Sequence, residues 1–148
     1  MEIIQTTLLT MTPNLLLEKQ PIIIYDKILN IKNLFDTTFR FSYLFKKEVN
    51  ISEKTTHQNN SKFAVIHNSK EKNILVIIKK NRIKYNHLNL FYSYLKNTDL
   101  FKFDTDLNTI TILLEPNTVL IIPFLYSFSS DHTIDVVFLS DFFHTISI

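Results

Sequence analysis

The chain has 148 residues, 45% of them hydrophobic and 13% aromatic, and a net charge of +2. That is one domain's worth of apolar matter, too much for a disordered chain, with too little net charge to point to nucleic acid by composition. Cysteine and glycine are both absent, which excludes disulfides, thiolate metal sites and cysteine nucleophiles, and argues against phosphate loops, dinucleotide fingerprints and nucleophile elbows, whose backbones need a residue without Cβ.

Residues 1–20 read as a loose lead-in, since Thr10, Thr12, Pro13 and Asn14 break two short apolar clusters. The domain proper is expected over 21–148. Pro21 opens a strand over 22–25, and 26–34 fits either a short helix or a strand. Over 39–46 the aromatics Phe39, Phe41, Tyr43 and Phe45 alternate with Arg40, Ser42, Leu44 and Lys46, which predicts a strand with an aromatic face. The polar run 48–62 predicts a strand end and an exposed loop. Phe63, Val65 and His67 form the next alternation, 68–73 a turn, and 74–78 a strand apolar on both faces. Residues 79–81 then lead into a short strand over 82–85. A helical spacing of Leu88, Phe91, Tyr92 and Leu95 predicts a helix over 86–96, with Asn86 and Asn97 as its caps.

The clearest stretch is 109–128. Residues 109–114 alternate, 115–118 are turn formers, and 119–122 are apolar on both faces, as in a buried strand that Pro123 ends or bends. A turn over 129–133, a strand over 134–139 and a last strand toward the C-terminus complete an all-β reading, β-rich with one short helix. Without glycine, turns must use Asn or Asp, and Asn is abundant, for example at Asn59, Asn68 and Asn117. The wealth of Ile, Lys, Asn, Phe and Tyr follows AT-rich codons. No apolar run nears the roughly 20 residues that span a bilayer, and the N-terminus lacks a basic region and a continuous apolar segment, so neither a membrane span nor secretion is expected.

Few side chains suggest chemistry. Asp131 with His132, and Asp141 with His144, read as turn polars before they read as acid/base pairs. Ser127, Ser129 and Ser130 lack an oxyanion loop, and Asp99, Asp104 and Asp106 lack the spacing of a calcium loop. Lys79, Lys80, Arg82 and Lys84, followed by Tyr85 and His87, could grip phosphates and stack bases. A charged edge hairpin explains them more plainly. Asn50-Ile51-Ser52 and Asn59-Asn60-Ser61 match glycosylation acceptors, read as chance matches in a chain without a secretory signal.

The order of motifs resembles the Jumonji-C type of cupin, a double-stranded β-helix or jelly-roll family. Its segment L-x-P-G-D-x-x-F-I-P is similar to Leu114, Glu115, Pro116, Asn117, Thr118, Val119, Leu120, Ile121, Ile122 and Pro123. Its upstream His-x-Asp pair, later Asn, strand and Gly-x-Lys turn are similar to His67, Asn68 and Ser69, Asn73, residues 74–78, and Lys80, Asn81 and Arg82. The resemblance implies a cupin-type jelly roll. Active members hold Fe(II) with two histidines and a carboxylate; carried over, these positions are His67, Ser69 and Phe128, one ligand of three. The resemblance therefore implies a degenerate scaffold with no metal or other cofactor, its iron pocket plugged by Phe128. The expected function is a non-enzymatic structural or interaction protein, with other proteins in a larger assembly as partners. With the AT-rich composition it is similar to cupin-like structural proteins of large DNA viruses, a minor capsid or other virion component; the expected location is the virion, or otherwise the cytoplasm. The alternatives are an Fe(II)/2-oxoglutarate-dependent hydroxylase with ligands outside the family register, such as Asp131, His132 or His144, and a nucleic-acid module using Lys79, Lys80, Arg82, Lys84 and Tyr85.

Overall fold

A computed structural model describes residues 3–11, 15–16, 19–33, 44–82, 102–103 and 109–140. Among these residues strands dominate, and the one α-helical element is the single turn α1 (Ile31–Asn33). One sheet has six strands in the order β1 (Ile4–Thr6), β2 (Ile22–Ile24), β9 (Val119–Pro123), β5 (Phe63–His67), β11 (Ile134–Ser140) and β3 (Phe45–Ile51). In the other, β4 (His57–Gln58) pairs with β10 (Tyr126–Ser130), which pairs with β6 (Ile74–Arg82); both β8 (Thr109–Leu114) and β7 (Lys102–Phe103) lie along the opposite side of β6.

Setting aside β1, β2 and β7, two antiparallel four-stranded sheets remain, β3-β11-β5-β9 and β4-β10-β6-β8. Successive strands of this set change sheet at every connection except that from β6 to β8. That winding is the double-stranded β-helix, so the fold is an all-β jelly roll of cupin type.

The central strands β2, β9 and β5 of the six-stranded sheet are buried on both faces, which accounts for their unbroken apolar sequence. Inward, Ile23, Ala64, Ile66, Leu120, Ile122, Val136 and Phe138 meet the opposing sheet's Ile74, Val76, Ile78, Ile112, Leu114, Tyr126 and Phe128. Outward, Ile22, Ile24, Phe63, Val65, Val119, Ile121 and Leu139 pack against Met11, Ile28, Leu44, Leu15, Leu16 and Ile31. The N-terminal residues are thus a cover for this sheet, and Ile4–Thr6 pairs in parallel with Ile22–Ile24 where the sequence suggested only a loose lead-in.

Four sequence expectations shift. The strand expected over 39–46, with a strand end at the start of 48–62, is seen as one strand over Phe45–Ile51, longer than that reading allowed; residues 39–43 are outside the described set. Its charged residues Lys46, Lys47 and Glu48 are exposed because it is an edge strand. Ile74–Arg82 is one strand without a break at 79–81, and within it Ile74, Val76 and Ile78 are buried while Leu75 and Ile77 are exposed. Residues 126–130 form a strand, so the turn expected over 129–133 begins at Asp131. The expected strand over 82–85 keeps only Arg82 among described residues, as the end of β6, and the helix over 86–96 and the last strand beyond 140 lie outside that set.

The turn over 115–118 forms as expected, but it joins strands of different sheets. Asn117 takes the left-handed conformation, φ 63°, and Thr118 closes the turn by donating its amide and hydroxyl to Glu115 O at 3.2 and 2.6 Å. Lys19, Lys54 and Leu125 also have positive φ, so the chain without glycine uses more than Asn at such corners.

Candidate functional site

In this fold the space between the sheets is the natural place for a ligand, and here side chains fill it. Phe128 projects inward from β10 and is 1% exposed. Its ring centroid lies 5.8 Å from that of His57, its register partner on β4, and 6.4 Å from that of Phe138 on β11. The His57 and Phe138 ring centroids are 5.1 Å apart, so the three rings form one cluster. Burial lowers the pKa of His57 from its ordinary 6.5, and the charge of Lys47 adds to the effect. Burial against apolar rings thus favours the neutral imidazole.

His67 does not join this cluster. It shares a face with Phe63 and Val65, which pack on the outer side of the six-stranded sheet, and its Nε2 bonds the carbonyl oxygen of Ile28. Since that oxygen only accepts, Nε2 must carry the proton. His67 and exposed Ser69 do come together, lining an open cleft of about 400 Å³ with Ile31, Glu48, Asn50 and Asp135. The picture of Phe128 plugging a pocket that includes His67 is therefore corrected. The inward-facing histidine opposite Phe128 is His57, on a two-residue strand within the polar run 48–62. Alternation could not reveal it, because two residues show no period.

Among the described residues no group of three or more His, Cys, Asp or Glu side chains is placed to hold a metal ion. Asp131 and His132 do meet, with Nδ1 2.8 Å from Oδ1, and Asp131 also accepts the amide of Leu75 at 2.9 Å. Burial pushes the Asp131 carboxyl up, but these hydrogen bonds and the His132 charge outweigh it and hold the pKa below the usual 3.8. The pair anchors the turn between β10 and β11 to the start of β6. Lys79 and Lys80 are successive residues of β6 and face opposite sides of the sheet, with Lys79 half-buried and Lys80 exposed. The side chain of Arg82, and Lys84, Tyr85, Asp141 and His144, are outside the described set.

Two asparagines hold the frame. Asn59, fully buried, donates Nδ2 to Ile122 O and Pro123 O at 3.0 and 2.9 Å and accepts the Ser61 amide at 3.1 Å. Its buried amide is spent inside the fold, which rules this position out as a glycosylation acceptor in the folded protein. Asn68, also fully buried, donates to Lys72 O and Leu114 O, each at 2.9 Å, and accepts the Lys70 amide at 3.0 Å.

The outer face of the smaller sheet differs from that of the larger. Leu75, Ile77 and Leu113 are 42%, 38% and 51% exposed, with Leu75 opposite Leu113 and Ile77 opposite Thr111. Three apolar side chains adjoining on one exposed sheet face are the feature most suggestive of a contact surface.

No known protein family and no curated protein matches the chain. Among solved structures it is similar to RmlC from Streptococcus suis, solved in complex with dTDP-D-xylose, at 10% identity and a TM-score of 0.39. The match covers 82% of this chain and 62% of that one, so this chain spans less than two thirds of that length. The expectation of a non-enzymatic chain is withdrawn. That expectation relied on reading His67 and Ser69 as remnants of an interior site, and they lie outside the interior. The likeness is too distant to assign this chain an activity.

Proposed function

We propose that this chain is an interaction module built on a cupin-type jelly roll, and that its working surface is the outside of the barrel. The observation that carries this reading is the contrast between the two places an apolar ligand could go. The space between the sheets is packed with buried side chains, including the ring cluster of His57, Phe128 and Phe138. On the exterior, Leu75, Ile77 and Leu113 remain exposed on a single sheet face. Apolar surface of this kind is stabilised by cover from another protein.

A minor capsid or other virion component of a large DNA virus is the finer form of the proposal, supported by the AT-rich composition and the resemblance described above. Native mass measurement of the chain purified from the cells that make it tests the reading. A stoichiometric complex with protein is expected. A lone monomer whose melting temperature rises on adding Fe(II), with loss of that rise in His57→Ala or His67→Ala, would overturn it.

A further inference from the structure

On the outer face of the larger sheet, the strand register gathers the polar side chains of the cleft into two rows. Asn50 on β3 is opposite Asp135 on β11, and His67 on β5 follows Ile66, the partner of Val136, so it falls on the other side of Asp135. The next row sets Glu48 opposite Val137. Residues paired across strands share a face and alternate residues return to it, so these five belong to one side of the sheet. All five line the cleft of about 400 Å³, together with Ile31. That volume is within the range of small-molecule sites, about 300–1,000 Å³.

The lining favours one chemical class of occupant. Glu48 and Asp135 bring two carboxylates, and neither pairs with a described cationic side chain. They are diagonal neighbours across β3 and β11, roughly 7–8 Å apart at their Cα atoms, a spacing at which one cation reaches both. His67 holds its proton on Nε2 for the Ile28 carbonyl, so in the neutral ring Nδ1 is an acceptor. Negative charge and acceptors disfavour an anion. Among the described residues these groups do not form a metal-binding set, and the half-buried Val137 and Ile31 add apolar surface that suits an organic cation. A guanidinium gains most from both oxygens of one carboxylate, but Asp135 already accepts the Asn50 amide on Oδ1 at 2.8 Å. An ammonium needs only single oxygens from separate acceptors.

We infer that this cleft binds a primary ammonium group on an aliphatic stem, the charge held between Glu48 and Asp135 and the stem lying along Val137 and Ile31. The site is separate from the exposed apolar face of the smaller sheet, so its failure leaves the interaction reading standing, and the reverse. Such a group has two sources, a free diamine or the lysine side chain of another protein.

Titration of the isotope-labelled full chain, followed by its amide resonances, tests the site. Pentylamine and cadaverine are expected to bind saturably at one site with the largest shifts at Asn50, Asp135 and Val137, and pentanol and pentanoate are expected not to bind. Glu48→Gln and Asp135→Asn, both at exposed positions, should each weaken the amines by roughly threefold, the scale of an exposed ion pair. Butylguanidine should bind more weakly than pentylamine. N-acetyl-lysine amide stands for the lysine source, and whichever of it and cadaverine binds more tightly names the source. Shifts that do not saturate, pentanol or pentanoate binding as well as pentylamine, a guanidine that binds as tightly, or an affinity unchanged in both variants would each overturn the inference.

Discussion

His57 carries most of the ionic consequence of the interior. Its pKa is depressed in the folded state by burial and then by Lys47, so protonation favours the unfolded chain. The associated stability is fully present above the unfolded value of 6.5 and is lost as pH falls below it and through the folded value. Thermal unfolding from neutral to mildly acidic pH should therefore show a falling melting temperature, and His57→Phe should flatten that fall. Phe128→Ala removes a ring that is 1% exposed and should cost about 3–5 kcal/mol in denaturant unfolding. Asn59→Ala strands the carbonyls of Ile122 and Pro123 and the amide of Ser61. A loss of at least about 1–3 kcal/mol is expected by the same measurement, because a buried group without its partner bears its full desolvation cost.

At the scale of elements, the corners explain how a chain without glycine turns. Leu125 occupies the crossing from β9 to β10 at φ 74°, a conformation that costs an ordinary residue roughly 1–2 kcal/mol. Leu125→Asn should raise stability by up to about 1 kcal/mol, read as a higher denaturant midpoint with an unchanged slope. Asn117 already uses the tolerated residue at φ 63°, and Asn117→Val should lower the midpoint. Strands β5, β8, β9 and β11 were legible from alternation or from short apolar runs, because burial on one or both faces leaves those patterns. β3 was legible only in part, at its start and as a short strand end, since an exposed edge strand bearing Lys46, Lys47 and Glu48 has much of the composition of a loop. β10 was partly hidden because Ser129 and Ser130 fell within the turn expected over 129–133. His57 was invisible for a different reason: its side chain gains meaning only from the register that sets it opposite Phe128, a partner 71 positions away by the difference of their numbers.

For the molecule as a whole, the alternation of strands between two sheets builds an interior, and its side chains decide what that interior can do. The apolar clusters inside the barrel and beneath the N-terminal cover secure the larger sheet on both faces. The smaller sheet has Leu75, Ile77 and Leu113 exposed on its outer face. Under the proposed interaction role, that asymmetry makes the smaller sheet the face for a partner. The central claim is that Phe128 packs in the interior against His57 and Phe138, and nuclear Overhauser spectroscopy of the ring protons tests it most directly. Cross-peaks linking His57 to Phe128 and Phe138, with none between His67 and Phe128, are the predicted result. Cross-peaks from His67 to Phe128 in place of those from His57 would contradict the account.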